Sequence, residues 1–166
     1  RFKPGDRVYY AGDITRPGTN SELHAVDERI AALAPQSLDD EQAAALPLTS
    51  ITAYELLFDR LGVPKQGGAG QTLLIIGGAG GVGSILIQLA RELTQLQVVA
   101  TASRPETRQW CFDLGAHAVI DHRQPLAVQL KSAGFDTVDL VASLTQTQLH
   151  FDSIIESLKP QGHLAL

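Results

Sequence analysis

From Lys65 onward, apolar residues form short unbroken runs, separated by stretches where they recur every three or four positions. The unbroken runs predict strands buried on both faces, and the wider spacing predicts amphipathic helices. Strands are expected at residues 71–76, 97–102, 118–121, 137–142 and 162–166, and helices at 82–94, 106–114, 125–133 and 146–158. Alternating β and α units of this size predict an α/β fold, a doubly wound parallel sheet with helices on both faces. In the first of these helices Ser84, Gln88, Arg91, Glu92 and Gln95 share one polar stripe, so the remaining surface is expected to lie closely on the sheet.

The pattern before about residue 60 is different. "FKPGDRVYYAG" and "NSELHAVDERIAAL" predict two or three strands joined by turns at Pro4-Gly5 and Pro17-Gly18. Ser37 opens an S-x-x-D helix start, followed by "DDEQAAAL" and, after Pro47, by "SITAYELLFDRLG". "KQGGAG" reads as the loop into the first parallel strand, and no internal repeat is present.

Composition narrows the function classes. The 166 residues suffice for one good core and part of a second domain. A net charge of −5 without a basic run argues against nucleic acid and anionic membrane surfaces as partners. No apolar run reaches the length of a membrane span, and no signal-peptide pattern opens the chain. The single cysteine, Cys111, excludes an intrachain disulfide and fits a reducing, cytoplasmic setting. The chain starts at Arg1, contains no methionine, and stops at "GHLAL", which reads as mid-strand; a piece of a longer protein is expected.

The chemistry concentrates in "LLIIGGAGGVGSILIQLA". Gly78, Gly80 and Gly83 satisfy G-x-G-x-x-G between a buried strand and an amphipathic helix, the context in which the motif marks a dinucleotide site. Gly78 is expected to permit the tight turn, Gly80 to let a pyrophosphate approach the backbone, and Gly83 to bring helix and strand together. The N–H groups of Gly81 and Val82 would then face the anion at the helix start. A turn used only for packing is the alternative. A P-loop is excluded, because Ser84 follows Gly83 and no lysine is present to reach the phosphates. A methyltransferase would place an acid at the end of the second strand, and none is there.

That same position selects the dinucleotide. About 20 residues past the loop an NAD site carries Asp or Glu on the ribose. Here the chain reads "TASRPETR", offering Ser103, Arg104, Thr107 and Arg108, with His122 at the end of the third strand. A hydroxyl, guanidinium groups and a helix start suit the 2′-phosphate of NADP(H). Ser103 also fits as a helix cap paired with Glu106, and Arg108 and His122 also fit as solvated surface side chains.

"FKPGDRVYY", "AAALPLTSITAYELLFDRLGV", "LLIIGGAGGVGS", "ATASRPET" and "LGAHAVIDH" together resemble the medium-chain dehydrogenase/reductase superfamily. The resemblance is closest to its quinone-oxidoreductase-like, zinc-type alcohol-dehydrogenase-like branch and covers essentially all 166 residues. It implies a Rossmann domain from residue 37 to 166, truncated at its end, preceded in residues 1–36 by the tail of a β-rich GroES-like catalytic domain. It also implies an NADPH-dependent reductase of quinones or activated carbonyl and enone compounds, homodimeric when full length. A non-catalytic NADPH-binding protein, a sensor or crystallin-like relative, is the alternative.

Zinc members of the superfamily use a Cys–His–Cys catalytic set and four clustered structural cysteines. Leu48 stands at the position aligned with the second catalytic cysteine, and the five histidines show no ligand spacing, so no zinc is expected. Cys111 is expected to be a small core residue. Ser143, Leu144 and Thr145 follow the fourth strand and are expected to border the nicotinamide, since ligands lie beyond the carboxyl ends of such sheets at the switch point. By the resemblance Thr52 would approach the ring from the other side, unless its hydroxyl bonds back to its own helix. Tyr54 is expected in the core, and no proton donor is assigned.

Overall fold

Side chains on successive strand residues point to opposite faces, so an uninterrupted apolar strand needs cover on both sides. The computed structural model, which describes residues 1–166, meets that requirement in the second of two units, Arg1–Ile51 and Thr52–Leu166.

In the first unit, β1 (Val8–Tyr9) pairs antiparallel with β2 (Ala32–Leu33), Val8 opposite Leu33. The two or three strands expected there shrink to these two short ones. The rest of the segment folds on local side-chain bonds that replace a ladder. Asp27 accepts the Arg29 N–H at 2.9 Å, the Ser21 hydroxyl donates to the Leu23 carbonyl at 2.8 Å, and His24 lies 2.9 Å from the Tyr10 hydroxyl and 3.0 Å from the Pro17 carbonyl.

Helix α1 (Asp40–Glu55) starts two residues later than the S-x-x-D reading places it. Asp39, not Ser37, caps it: its carboxylate accepts the Gln42 N–H at 2.7 Å, and the Gln42 amide oxygen accepts the Asp39 N–H at 3.3 Å. Pro47 lies inside α1 rather than dividing it. The missing N–H removes one helical bond, and the Thr49 hydroxyl lies 3.1 and 3.0 Å from the neighbouring carbonyls of Ala45 and Leu46. The helix then widens into a π-helical turn at Leu56–Arg60, closed by Leu61 N–H to the Leu56 carbonyl at 2.9 Å.

The second unit continues with β3 (Thr72–Ile76), α2 (Gly81–Leu93), β4 (Gln97–Thr101), α3 (Pro105–Asp113), β5 (Ala118–Ile120), α4 (Leu126–Ser132), β6 (Val138–Ser143), α5 (Thr147–Ser157) and β7 (Leu158–Ala165). All strand pairings are parallel, in the order β5-β4-β3-β6-β7. This is the doubly wound order, with β3 and β6 flanking the point where the winding reverses. The two faces alternate residue by residue. Leu73, Ile75, Val98, Ala100, Leu140 and Ala142 join the core beneath α2, with Leu86, Ile87 and Ala90 of that helix. Leu74, Ile76, Val99 and Val141 join the other core, with Leu126 and Leu130 of α4 and Ile154 of α5.

The last strand begins earlier than expected and is irregular. Leu158 pairs with Val138, the register then shifts, and His163 to Ala165 pair with Leu140 to Ala142. Gln161 in the irregular stretch has φ +65°. A side-chain anchor holds this stretch: Asp139 accepts Lys159 Nζ at 2.8 and 2.9 Å and the Thr72 N–H at 2.8 Å, joining the starts of β3, β6 and β7. Asp139→Ala is expected to lower the unfolding free energy by about 1–3 kcal/mol, and Asp139→Asn, which keeps an acceptor, by less; denaturant titration checks both.

Candidate functional site

The glycines of the turn between β3 and α2 are not equivalent. The residue with positive φ is Gly77, at +86°; Gly78, expected to make the turn, is not in that region. Gly78 is a packing glycine. A Cβ there would lie 2.7 Å from Ala100 Cβ and 3.3 Å from Cys111 Sγ, so the turn rests directly on β4 and α3. Two bonds fix that approach: Gly78 N–H to the Thr101 carbonyl at 3.1 Å, and Gly77 N–H to the Thr101 hydroxyl at 2.9 Å. Gly83 has the role expected, since its Cβ would strike the carbonyl oxygens of Gly77 and Gly78, the latter at 2.6 Å.

Gly80 differs from the other three. Its φ is −74°, and a Cβ would meet only the Gly77 carbonyl oxygen, at an ordinary 3.4 Å. Neither strain nor crowding inside the protein demands glycine here, and the space beside it is open. The first i to i−4 bond of α2 runs from Ser84 N–H to the Gly80 carbonyl at 2.8 Å, so Gly81 and Val82 precede the ladder with their N–H groups at the positive end of the helix.

A cavity of about 510 Å³ opens over this turn. Thr52 and Leu56 form one side, Gly80 to Gly83 the floor, and Ser143, Leu144 and Thr145 the other side. The loop after β6 is held in place by Leu144 N–H to the Ile76 carbonyl at 3.1 Å and by the Ser143 and Thr147 hydroxyls 2.8 Å apart. Three segments predicted separately thus converge at the carboxyl ends of β3 and β6. A second cavity, about 310 Å³, lies at the opposite edge of the sheet around Asp139, Lys159 and His163, away from every residue predicted to act on a ligand.

The other group of predicted residues gathers beyond β4 and β5. Ser103 precedes α3 but does not cap it. Arg104 is the N-cap residue; its N–H donates to the Thr107 hydroxyl at 3.3 Å, and that hydroxyl lies 2.9 Å from the Arg104 carbonyl. Glu106, expected to complete the cap, instead pairs with the exposed Arg104 guanidinium at 3.1 Å. Arg108 is not a solvated side chain: it donates to the carbonyls of Ala102 at 3.3 Å and Val119 at 2.7 Å, tying β4 to β5. His122 stands edge-on to His150 with ring centroids 5.8 Å apart.

Two residues here escaped the sequence reading. Arg123 donates to the Ser103 carbonyl at 3.1 Å, which brings a guanidinium from the β5 loop to the end of β4. It also pairs with Asp121 at 2.7 Å and holds that carboxyl down to about 2. His150 comes from α5, 28 positions after His122, and only the fold brings the two together. Its imidazole is pushed below the ordinary histidine range by burial and then by His122.

Tyr54 is a correction: it is 37% exposed, tilted against Phe58 at 4.7 Å, with Lys65 Nζ 5.2 Å from its ring centroid. Cys111 is fully buried, and burial pushes its thiol up, as a core residue requires. Leu48 is 65% exposed, and no group of three His, Cys, Asp or Glu side chains is placed to hold a metal ion.

A doubly wound sheet with a glycine-rich turn at its switch point defines an α/β protein of the Rossmann type. Residues 81–166 match the zinc-binding dehydrogenase family. The zinc-type alcohol dehydrogenase-like protein of Staphylococcus epidermidis is 42% identical over 166 residues, covering 99% of this chain and 49% of that protein. The crystal structure of a candidate zinc-dependent alcohol dehydrogenase of Rhizobium etli superposes with a TM-score of 0.91 at 54% identity, over 98% of this chain and 48% of the other. Escherichia coli quinone oxidoreductase complexed with NADPH gives a TM-score of 0.81 at 29% identity, over 98% and 48%. The chain belongs to the zinc-binding dehydrogenase family of the medium-chain dehydrogenase/reductase superfamily. It spans about half the length of these relatives.

The glycines separate experimentally. Gly78→Ala is expected to destabilise the ligand-free protein by about 1–3 kcal/mol through overpacking against Ala100, whereas Gly80→Ala should leave its melting temperature nearly unchanged. Thermal melts of the two variants check this, and equal losses would contradict the assignment.

Proposed function

We propose that this chain is the cofactor-binding part of an NADPH-dependent oxidoreductase that delivers hydride to a quinone or to an activated carbonyl or enone. The open space beside Gly80 carries the reading. It is the one glycine of the motif that no contact within the protein explains, and it lies at the floor of the cavity, beside the N–H groups that start α2. A diphosphate placed there meets backbone donors and the helix dipole with no Cβ in its way.

Ser103, Arg104, Thr107 and His122, joined by Arg123, would take the ribose 2′-phosphate, with Arg108 bracing the strand ends beneath them. Two acids adjoin this group in sequence: Glu106 pairs with Arg104, and Asp121 is neutralised by Arg123, which reaches both of its carboxylate oxygens. Ser143, Leu144 and Thr145 on one side and Thr52 on the other would orient the nicotinamide. NADPH held this way would supply the hydride, and the residues around it would exclude water and set the face presented to the substrate. The similarity to an NADPH-bound quinone oxidoreductase supports both cofactor and substrate class. Zinc has no part in this reading, because leucine at position 48 offers no donor atom and these residues form no ligand cluster.

Calorimetric titration is expected to show NADPH binding more tightly than NADH. Arg104→Ala and Arg123→Ala should each weaken NADPH by about 1–3 kcal/mol and leave NADH nearly unaffected. Elemental analysis of the dialysed protein is expected to find no stoichiometric zinc. About one zinc per chain would overturn that part of the proposal, and tighter binding of NADH would overturn the cofactor assignment.

A further inference from the structure

Two half-buried imidazoles meet beyond the carboxyl end of β5: His122 in the loop after the strand and His150 near the start of α5. Their rings cross at 69° with centroids 5.8 Å apart, edge against face. A pair arranged this way accommodates one positive charge readily, but two would repel at this separation unless an anion lay between or beside them.

The charged groups around the pair are already matched. Asp121 faces His122 and is neutralised by Arg123. Arg104, at the start of α3, pairs with Glu106. No charged group of α5 or α4 acts on His150; burial and His122 alone displace its titration. Imidazole is the side chain whose ordinary charge change falls nearest neutral pH, and this end of the sheet brings two of them together. His122 shares the loop after β5 with Arg123, whose guanidinium reaches Ser103 at the end of β4, and His150 meets His122 from α5.

Building on the NADPH reading, we infer that His122 and His150 form a protonatable wall at the 2′-phosphate end of the site, so that preference for NADP(H) over NAD(H) strengthens as the imidazoles gain a proton. A phosphate monoester is largely dianionic above its second pKa of about 6 and favours the imidazolium form beside it. Bound phosphate thus raises the imidazole pKa. The gain in affinity appears as pH falls through that raised value and levels once the phosphate itself takes up a proton. NADH lacks the phosphate and gains nothing.

The experiment measures dissociation constants of NADPH and NADH on the intact protein by calorimetry at several values between about pH 6 and 8.5. The NADH-to-NADPH ratio is expected to grow about tenfold from the alkaline to the acid end, the scale of one charge-assisted bond. His122→Asn and His150→Asn should flatten that profile while leaving NADH affinity close to that of the unaltered protein. A ratio independent of pH in the unaltered protein, with NADPH still preferred, overturns the inference and leaves the cofactor reading intact. Variants that weaken both cofactors equally and keep the original profile would show the histidines to be structural, and would also overturn it. NADH binding as tightly as NADPH at every pH would overturn the cofactor reading itself, and this inference with it.

Discussion

Helix α2 comes so close to the end of β3 that nothing larger than hydrogen fits at Gly83, where a side chain would collide with the carbonyls of Gly77 and Gly78. The same compression acts on the other side of the turn, where Gly78 lies against Ala100 and Cys111. Together these contacts clamp the turn between β4, α3 and the first residues of α2. The helix start is thereby held at the carboxyl edge of the sheet, the N–H groups of Gly81 and Val82 stand ahead of the helical ladder, and the cavity over the turn takes its floor. Overpacking of a clamped turn costs on the order of 1–3 kcal/mol, a large fraction of the stability of an ordinary domain.

Gly80 is distinguished by the absence of any such demand. Gly77, Gly78 and Gly83 answer to positive φ or to packing, whereas Gly80 has an ordinary conformation and borders open space. That contrast turns a short sequence pattern, weak by itself, into a physical argument for a ligand.

At the other end of the candidate site the electrostatics are modest and distributed. The Arg104–Glu106 and Asp121–Arg123 pairs are exposed on at least one partner, and such pairs contribute about 0–1 kcal/mol to stability. They are poorly accounted for as structural devices. They bring two guanidinium groups to the ends of β4 and β5, where the His122 and His150 rings also meet.

The sequence by itself determined the parallel sheet, its helices and the glycine turn, because those features repeat within a few residues: unbroken apolar runs, a three-to-four spacing, and G-x-G-x-x-G between them. It also placed Ser143 to Thr145 at the switch point, since strand order in such a fold follows from chain order. Local rules with competing solutions were decided only in three dimensions. Ser37, Asp39 and Ser103 are all competent caps, and Asp39 prevails at α1 through its exchange with Gln42, while at α3 Thr107 closes on Arg104. Pro47 sits inside a single helix that the sequence pattern divides at that residue. Gly77, outside the three-glycine motif, makes the turn assigned to Gly78, because Gly78 is claimed by contacts with residues 22 and 33 positions further along the chain. Arg123 and His150 had no local signal at all. Their partners, Ser103 and His122, lie 20 and 28 residues away, and only the winding of the sheet brings side chains that distant in sequence to one edge.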